Sequence, residues 1–146
     1  MAAVTQVTQG GPKSFIPAEV ILGGQLVEAR TGGRIGVAAA DSVKVLGVAL
    51  TDGQSPETAQ GGTTVDAIGR PIINAMPIPT VVSVAYAGTE TKVTYSAAAT
   101  FGDKLVSTGS GKVGPAPVDA TAAEIVGICT QPQGVAANAV GLIRIA

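Results

Sequence analysis

DKLVSTGSGKVGPAPVDATAAEIVGICT, residues 103–130, decides how the chain is read. Two short apolar runs flank a glycine turn, a proline-punctuated loop follows, and a third run rich in β-branched residues closes the stretch. A paler copy lies upstream at residues 24–51, GQLVEARTGGRIGVAAADSVKVLGVALT. Leu26-Val27 answers Leu105-Val106, Arg34-Ile35-Gly36 answers Lys112-Val113-Gly114, Asp41 answers Asp119, and Leu46-Gly47-Val48 answers Val126-Gly127-Ile128. The offsets are 79, 78, 78 and 80 residues, so the register holds through small loop changes. A repeat of this kind predicts one β-rich unit used twice within a single domain.

Composition limits what such a domain does. Its 146 residues suit one domain with a real core. Charged residues make up 13%, about half the ~25% usual for soluble domains. Hydrophobic residues make up 46%, and the 20 glycines raise the apolar share to roughly 60%. Phe15, Tyr86, Tyr95 and Phe101 are the only aromatics. A surface with so few charges is expected to be covered by other chains. The net charge of −1 gives no electrostatic case for nucleic acid.

The chain has no histidine, which excludes Ser-His and Cys-His relays and histidine metal sites. Cys129 stands alone in an apolar run, as an inert buried thiol does. No Ca²⁺-loop spacing occurs, so neither a metal, a cofactor nor catalysis is expected. The first residues show no basic-then-apolar signal pattern. Two uncharged windows, residues 71–89 and 125–143, are broken by prolines or by Gln131, Pro132, Gln133 and Asn138, so no spanning helix and no membrane partner is expected.

Read in order, residues 1–14 are small and polar. They fit either a frayed terminus or an arm that orders only on a partner, with Val4 and Val7 lending strand character. Val4, Val7, Lys13 and Phe15 are the expected partner-contacting residues. Residues 15–146 form the single β domain, with the repeat at 24–51 and 103–130. Hairpins are expected around residues 31–33 and 109–111. Residues 51–62 read as a polar loop, and three prolines make residues 69–79 an extended excursion. Residues 96–100, SAAAT, are the main helix candidate and 120–124 a single turn. The fold class is all-β, a small barrel or sandwich of two similar units with short helical turns and an extended N-terminal arm.

Two patterns resemble chemistry without its context. Residues 109–114, GSGKVG, match G-x-G-x-x-G, but Pro115-Ala116-Pro117 blocks the helix a dinucleotide site needs, so a hairpin is expected. Asp41 and Asp119 hold equivalent positions before a strand, where loop capping is the expected role.

AYAGTETKVTYSAAATFGDKLVSTGSGKVGPA (85–116), EIVGICTQPQGVAANAVGLIRIA (124–146) and GQLVEARTGGRIGVAAADSVKVLGVAL (24–50) together resemble the capsid decoration, or cement, proteins of tailed bacteriophages. The resemblance rests on a G-D-x-L-V strand, a glycine hairpin, an Ala/Pro-rich loop, an [IV]-[VL]-G-[IV] strand and a closing apolar strand. It implies a homotrimer that binds the outside of a virion, made in the host cytoplasm, and clamps neighbouring major capsid subunits without catalytic residues. Two other readings stay open: another phage subunit of tail, fibre or surface-layer type, and a ligand-binding β domain.

Overall fold

The computed structural model describes residues 11–60, 64–65, 67–72 and 78–146. Its strands are β1 (Lys13–Phe15), β2 (Leu26–Ala29), β3 (Ile35–Val37), β4 (Val45–Ala49), β5 (Thr64–Val65), β6 (Pro71–Ile72), β7 (Val82–Ala85), β8 (Glu90–Thr94), β9 (Lys104–Gly109), β10 (Lys112–Pro115), β11 (Ile125–Cys129) and β12 (Val140–Ile145). Two five-stranded antiparallel sheets carry the fold, ordered β1-β7-β4-β2-β3 and β8-β12-β11-β9-β10, and β5 pairs with β6 as a separate two-stranded ribbon. The all-β reading is correct.

The two orders are the same order. β1 corresponds to β8, β2 to β9, β3 to β10, β4 to β11 and β7 to β12, so the repeat extends beyond the stretches visible in the sequence. Equivalent irregularities confirm it. The register of β2 against β4 jumps from Val27↔Gly47 to Glu28↔Val45, leaving Leu46 as the extra residue. The register of β9 against β11 jumps from Leu105↔Gly127 to Val106↔Ile125, leaving Val126. Both bulges sit one residue before the matched glycine, where an extra residue bends the strand and increases its twist. These pairings also correct the alignment: Val27 is equivalent to Leu105, so the first strands match at the 78-residue spacing of the hairpins. The side chains alone suggested 79 because both strands carry adjacent apolar residues.

Each sheet curls. Pro17, just past β1, makes one parallel pairing with Ile35 on the opposite edge, and Tyr95, just past β8, makes the equivalent one with Val113. Single pairings leave both sheets open, so the architecture is a sandwich of curled sheets and not a closed barrel.

The first sheet is buried on both faces. Val27, Ile35, Ala49 and Val84 join Ile21 and Val82 in one core. Leu26, Val48 and Ala85 face the other way, into a core shared with Leu105, Val113, Cys129 and Ile143 of the second sheet. Burial on both faces explains why β2 and β4 read as continuous apolar runs without alternation. Each fully buried aliphatic side chain contributes roughly 1.5–3 kcal/mol. Tyr95 is wholly buried in the shared core and its hydroxyl donates to the Leu142 carbonyl at 2.7 Å, so the polar end is satisfied.

The helix expectation needs correction. Residues 96–100 form a bend, not a helix, because Ala99 is drawn into a pairing with Val135. The one α-helix among the described residues is α1 (Pro56–Gln60), inside the stretch read as a polar loop. Ser55 caps it: the Thr58 N–H donates to Ser55 Oγ at 3.2 Å, and Pro56 takes the first helical position, where a missing N–H costs nothing. β1 begins at Lys13, so the sheet takes in the last two residues assigned to the arm.

Gly47 and Gly127 make the tightest approaches to neighbouring backbone in the two units. A Cβ on Gly47 would collide with the Ala85 carbonyl oxygen of β7, and one on Gly127 with the Arg144 carbonyl oxygen of β12. Backbone cannot yield there without parting the strands. Gly47→Ala and Gly127→Ala should each lower stability by about 3 kcal/mol or more in urea unfolding. A loss below about 1 kcal/mol in both would show that the strands are not so closely approached.

Candidate interaction surface

Lys13 and Phe15 lie on β1, an edge strand, paired with Val84 and Val82. The Phe15 ring meets Tyr86 edge-on at 6.1 Å, and the Lys13 ammonium sits 5.4 Å from the Phe15 ring centre. Phe15 is therefore half committed to its own core, while Lys13 is exposed and blunts the sheet edge. Val4 and Val7 lie outside the described residues.

A surface not foreseen from sequence lies beside this edge. Residues 20–22 run against residues 52–54: Ile21 and Gly53 exchange backbone hydrogen bonds at 2.8 and 2.9 Å. Gln54 N–H in turn donates to the Pro79 carbonyl at 2.8 Å, and Leu50 N–H to the Ser83 carbonyl at 2.8 Å. Ile21 points inward and is fully buried, which turns its neighbours Val20 and Leu22 outward at 49% and 50% exposure. Ile16, Leu50, Ile78 and Val81 are likewise exposed. Six of the eleven large exposed hydrophobics among the described residues thus belong to three segments tied together by backbone hydrogen bonds. Scattered apolar residues are ordinary on a surface, whereas a concentration of this kind is the candidate contact face.

Several charged groups are tied into ion pairs and capping bonds. Arg34 grips Glu57 through two bonds of 2.6 and 2.8 Å, and this guanidinium holds the Glu57 carboxyl at a pKa of about 2. Glu28 is buried on β2. Burial alone would raise its pKa, but hydrogen bonds from Ser42 and the Ala39 N–H, with the charge of Arg30 at 3.1 Å, prevail and hold it below the usual carboxylate range. Arg30 also lies 3.6 Å from Glu19, whose Oε1 accepts the Val37 N–H at 2.8 Å.

Asp41 and Asp119 do come together, lining one shallow cleft with Glu124. Among the described residues neither aspartate carboxylate caps a loop; Asp52, Asp103 and Glu124 do so, accepting from the backbone N–H groups of Gly23, Thr100 and Thr121 at 2.7, 2.8 and 2.6 Å. Asp41 is instead held by its backbone, at φ 53° with its N–H donating to the Ser107 carbonyl at 2.9 Å. The Thr121 N–H keeps Glu124 below its ordinary pKa, which suits a cap and not a proton donor. No group of acidic or thiol residues fit to hold a metal occurs among the described residues. Cys129 is fully buried, as expected. The G-x-G-x-x-G motif is a hairpin tip running straight into β10, with Gly109 and Gly111 at φ 95° and 69°. No described helix is long and apolar enough to cross a membrane.

No protein-family model and no curated sequence matches the chain. The fold is similar to that of the N base of the head fiber gp8.5 of bacteriophage phi29, with a TM-score of 0.57 over 94% of this chain and 95% of that one, at 13% identity. The likeness covers both β units end to end.

Glu28 gives a test of the charged corner. Its folded-state pKa is depressed, so its contribution is present above the unfolded value of 4.5 and is lost as pH falls through the folded value. Glu28→Ala should cost about 1–3 kcal/mol at neutral pH, because the Ala39 N–H loses its acceptor. The difference from the parent should shrink below pH 4.5. A difference that stays constant with pH would assign the loss to packing.

Proposed function

We propose that the chain is a structural protein of a bacteriophage head, attached to the outer surface of the capsid. The observation that carries this reading is the end-to-end fold likeness to the base of a phage head fiber. A protein attached to the outside of a shell has to hold it by surface contact. The chain is equipped to do so, with few charges, an apolar concentration on residues 16–22, 50–54 and 78–81, and carboxylates committed to caps and ion pairs.

The capsid partner is the major capsid protein, and the exposed apolar face is the surface that meets it. Val20, Leu22 and Val81 are its anchors, with Lys13 on the neighbouring strand edge. In this reading the protein acts as a homotrimer that bridges adjacent capsid subunits. Affinity then comes from several modest contacts made at once, with no single strong site. Neither catalysis nor a cofactor enters.

Virions produced from the genome that encodes the chain, labelled with an antibody against it, should carry label on their heads. Label confined to tails, or absent from virions, would overturn the reading. The Leu22→Asp, Val81→Asp double variant should keep its fold and bind heads at least about tenfold more weakly, since two anchors lose their apolar contact.

A further inference from the structure

The contact that joins the two units inside the chain runs one way. The tip of the second unit, residues 109–111, docks on a ledge of the first formed by Gln25, Leu26 and residues 38–41. The Gly111 carbonyl accepts from the Leu26 N–H at 2.8 Å, and the Gly111 N–H donates to the Ala38 carbonyl at 3.3 Å. Ala40 pairs with Thr108, Ser107 Oγ donates to the Ala39 carbonyl at 2.6 Å, and Gln25 Nε2 reaches the Ser110 carbonyl at 3.4 Å.

Because the unit is repeated, the tip and the ledge have backbone counterparts 78 residues away, although Ala29 stands where Ser107 supplies its hydroxyl and the Pro117 carbonyl, the counterpart of Ala39's, accepts the Ala120 N–H at 3.1 Å. The first unit's tip, Thr31–Gly33, is exposed. Two of its three residues match the docked tip, Gly32 and Gly33 having φ 74° and 71° against 53° and 69° for Ser110 and Gly111, whereas Thr31 lacks the positive φ of Gly109 at 95°. The second unit's ledge is Asp103, Lys104 and residues 116–119, and all of these but Asp119 wall an open cleft of about 360 Å³. The near end of this ledge is built alike, for the Ala116 N–H donates to the Lys104 carbonyl at 2.8 Å as the Ala38 N–H does to Leu26 at 2.9 Å, while at the far end Asp119 lacks the positive φ of Asp41. Gly111 is buried where Gly33 is exposed, and Val118, in the place of Ala40, is fully exposed at 108%.

We propose that the Thr31–Gly33 tip of one copy docks on the 103–104 and 116–119 ledge of a second copy, repeating between chains the contact that each chain makes within itself. Lys104 stands where the first ledge has the buried Leu26, so the contact between chains is more hydrated and weaker than the internal one. Head-to-tail contacts of this kind use two different surfaces and build rings or filaments, not twofold pairs. The inference does not depend on capsid attachment.

Cysteine cross-linking tests it on the full chain. A Cβ built on Gly109 lies 3.7 Å from the Ala40 Cβ, so the same docking brings positions 31 and 118 of two copies within the ~3.5–4.5 Å a disulfide needs. Both residues are exposed, and the native Cys129 is buried. Under mild oxidation, Thr31→Cys chains mixed with Val118→Cys chains should give a disulfide dimer, and the double variant should give larger covalent multimers. Each single variant alone should stay uncross-linked. No bond in the mixture, or equal cross-linking by either single variant, would overturn the proposal. Val118→Arg, with its fold checked by circular dichroism, should weaken self-association at least tenfold in sedimentation; unchanged association would likewise overturn it. Labelled heads without cross-linking would leave the proposed function standing and remove this one.

Discussion

The Leu26 N–H lies in the interior, at the start of the strand that holds the first sheet together, and its acceptor comes from the other half of the chain. The Gly111 carbonyl fills that role at 2.8 Å. A buried donor left without a partner costs about 1–3 kcal/mol, so the first unit is incomplete until the second has folded against it. The same approach explains the glycine: a side chain on Gly111 would press on the Gln25 Cβ at 2.7 Å, at a backbone angle that already disfavours one. Two similar units thus become one domain through a tip and a ledge.

Close backbone approach is the recurring device. In both units a bulge precedes a glycine that lets the next strand come near, and the pair of bulges bends both sheets alike. Curled sheets bury one face on their own core, and the first sheet also lends its second face to the shared core. Little surface then needs charge to stay ordered, and several of the few charged groups serve as caps and short ion pairs.

Much of this was legible in the residues. Glycine turns and β-branched runs mark the hairpins, and prolines after GSGKVG exclude a phosphate-binding helix. The repeat was visible where Gly36 and Gly114 recur and where Gly47 and Gly127 hold positions at which a Cβ would strike the next strand's carbonyl. It was invisible in β1 against β8 and β7 against β12, whose side chains differ because one sheet is buried on two faces. The helix at Pro56–Gln60 carried its signal in Ser55 and Pro56, but polar neighbours hid it. SAAAT has helix-forming alanines, yet pairing of Ala99 with Val135 overrides that preference. The exposed apolar face could not be read at all, since Val20 and Leu22 are turned outward only by the burial of Ile21 between them.

Amide hydrogen exchange at Leu26 tests the union of the two units most directly. Its N–H donates across the unit boundary, whereas the Ala38 N–H donates to the Leu26 carbonyl within the first unit. In the intact chain Leu26 should exchange only through opening as large as global unfolding. In Gly111→Ala, Leu26 should lose protection well before Ala38 does. Rapid exchange at Leu26 in the intact chain, or protection unchanged by the substitution, would contradict the dependence of the first unit on the second.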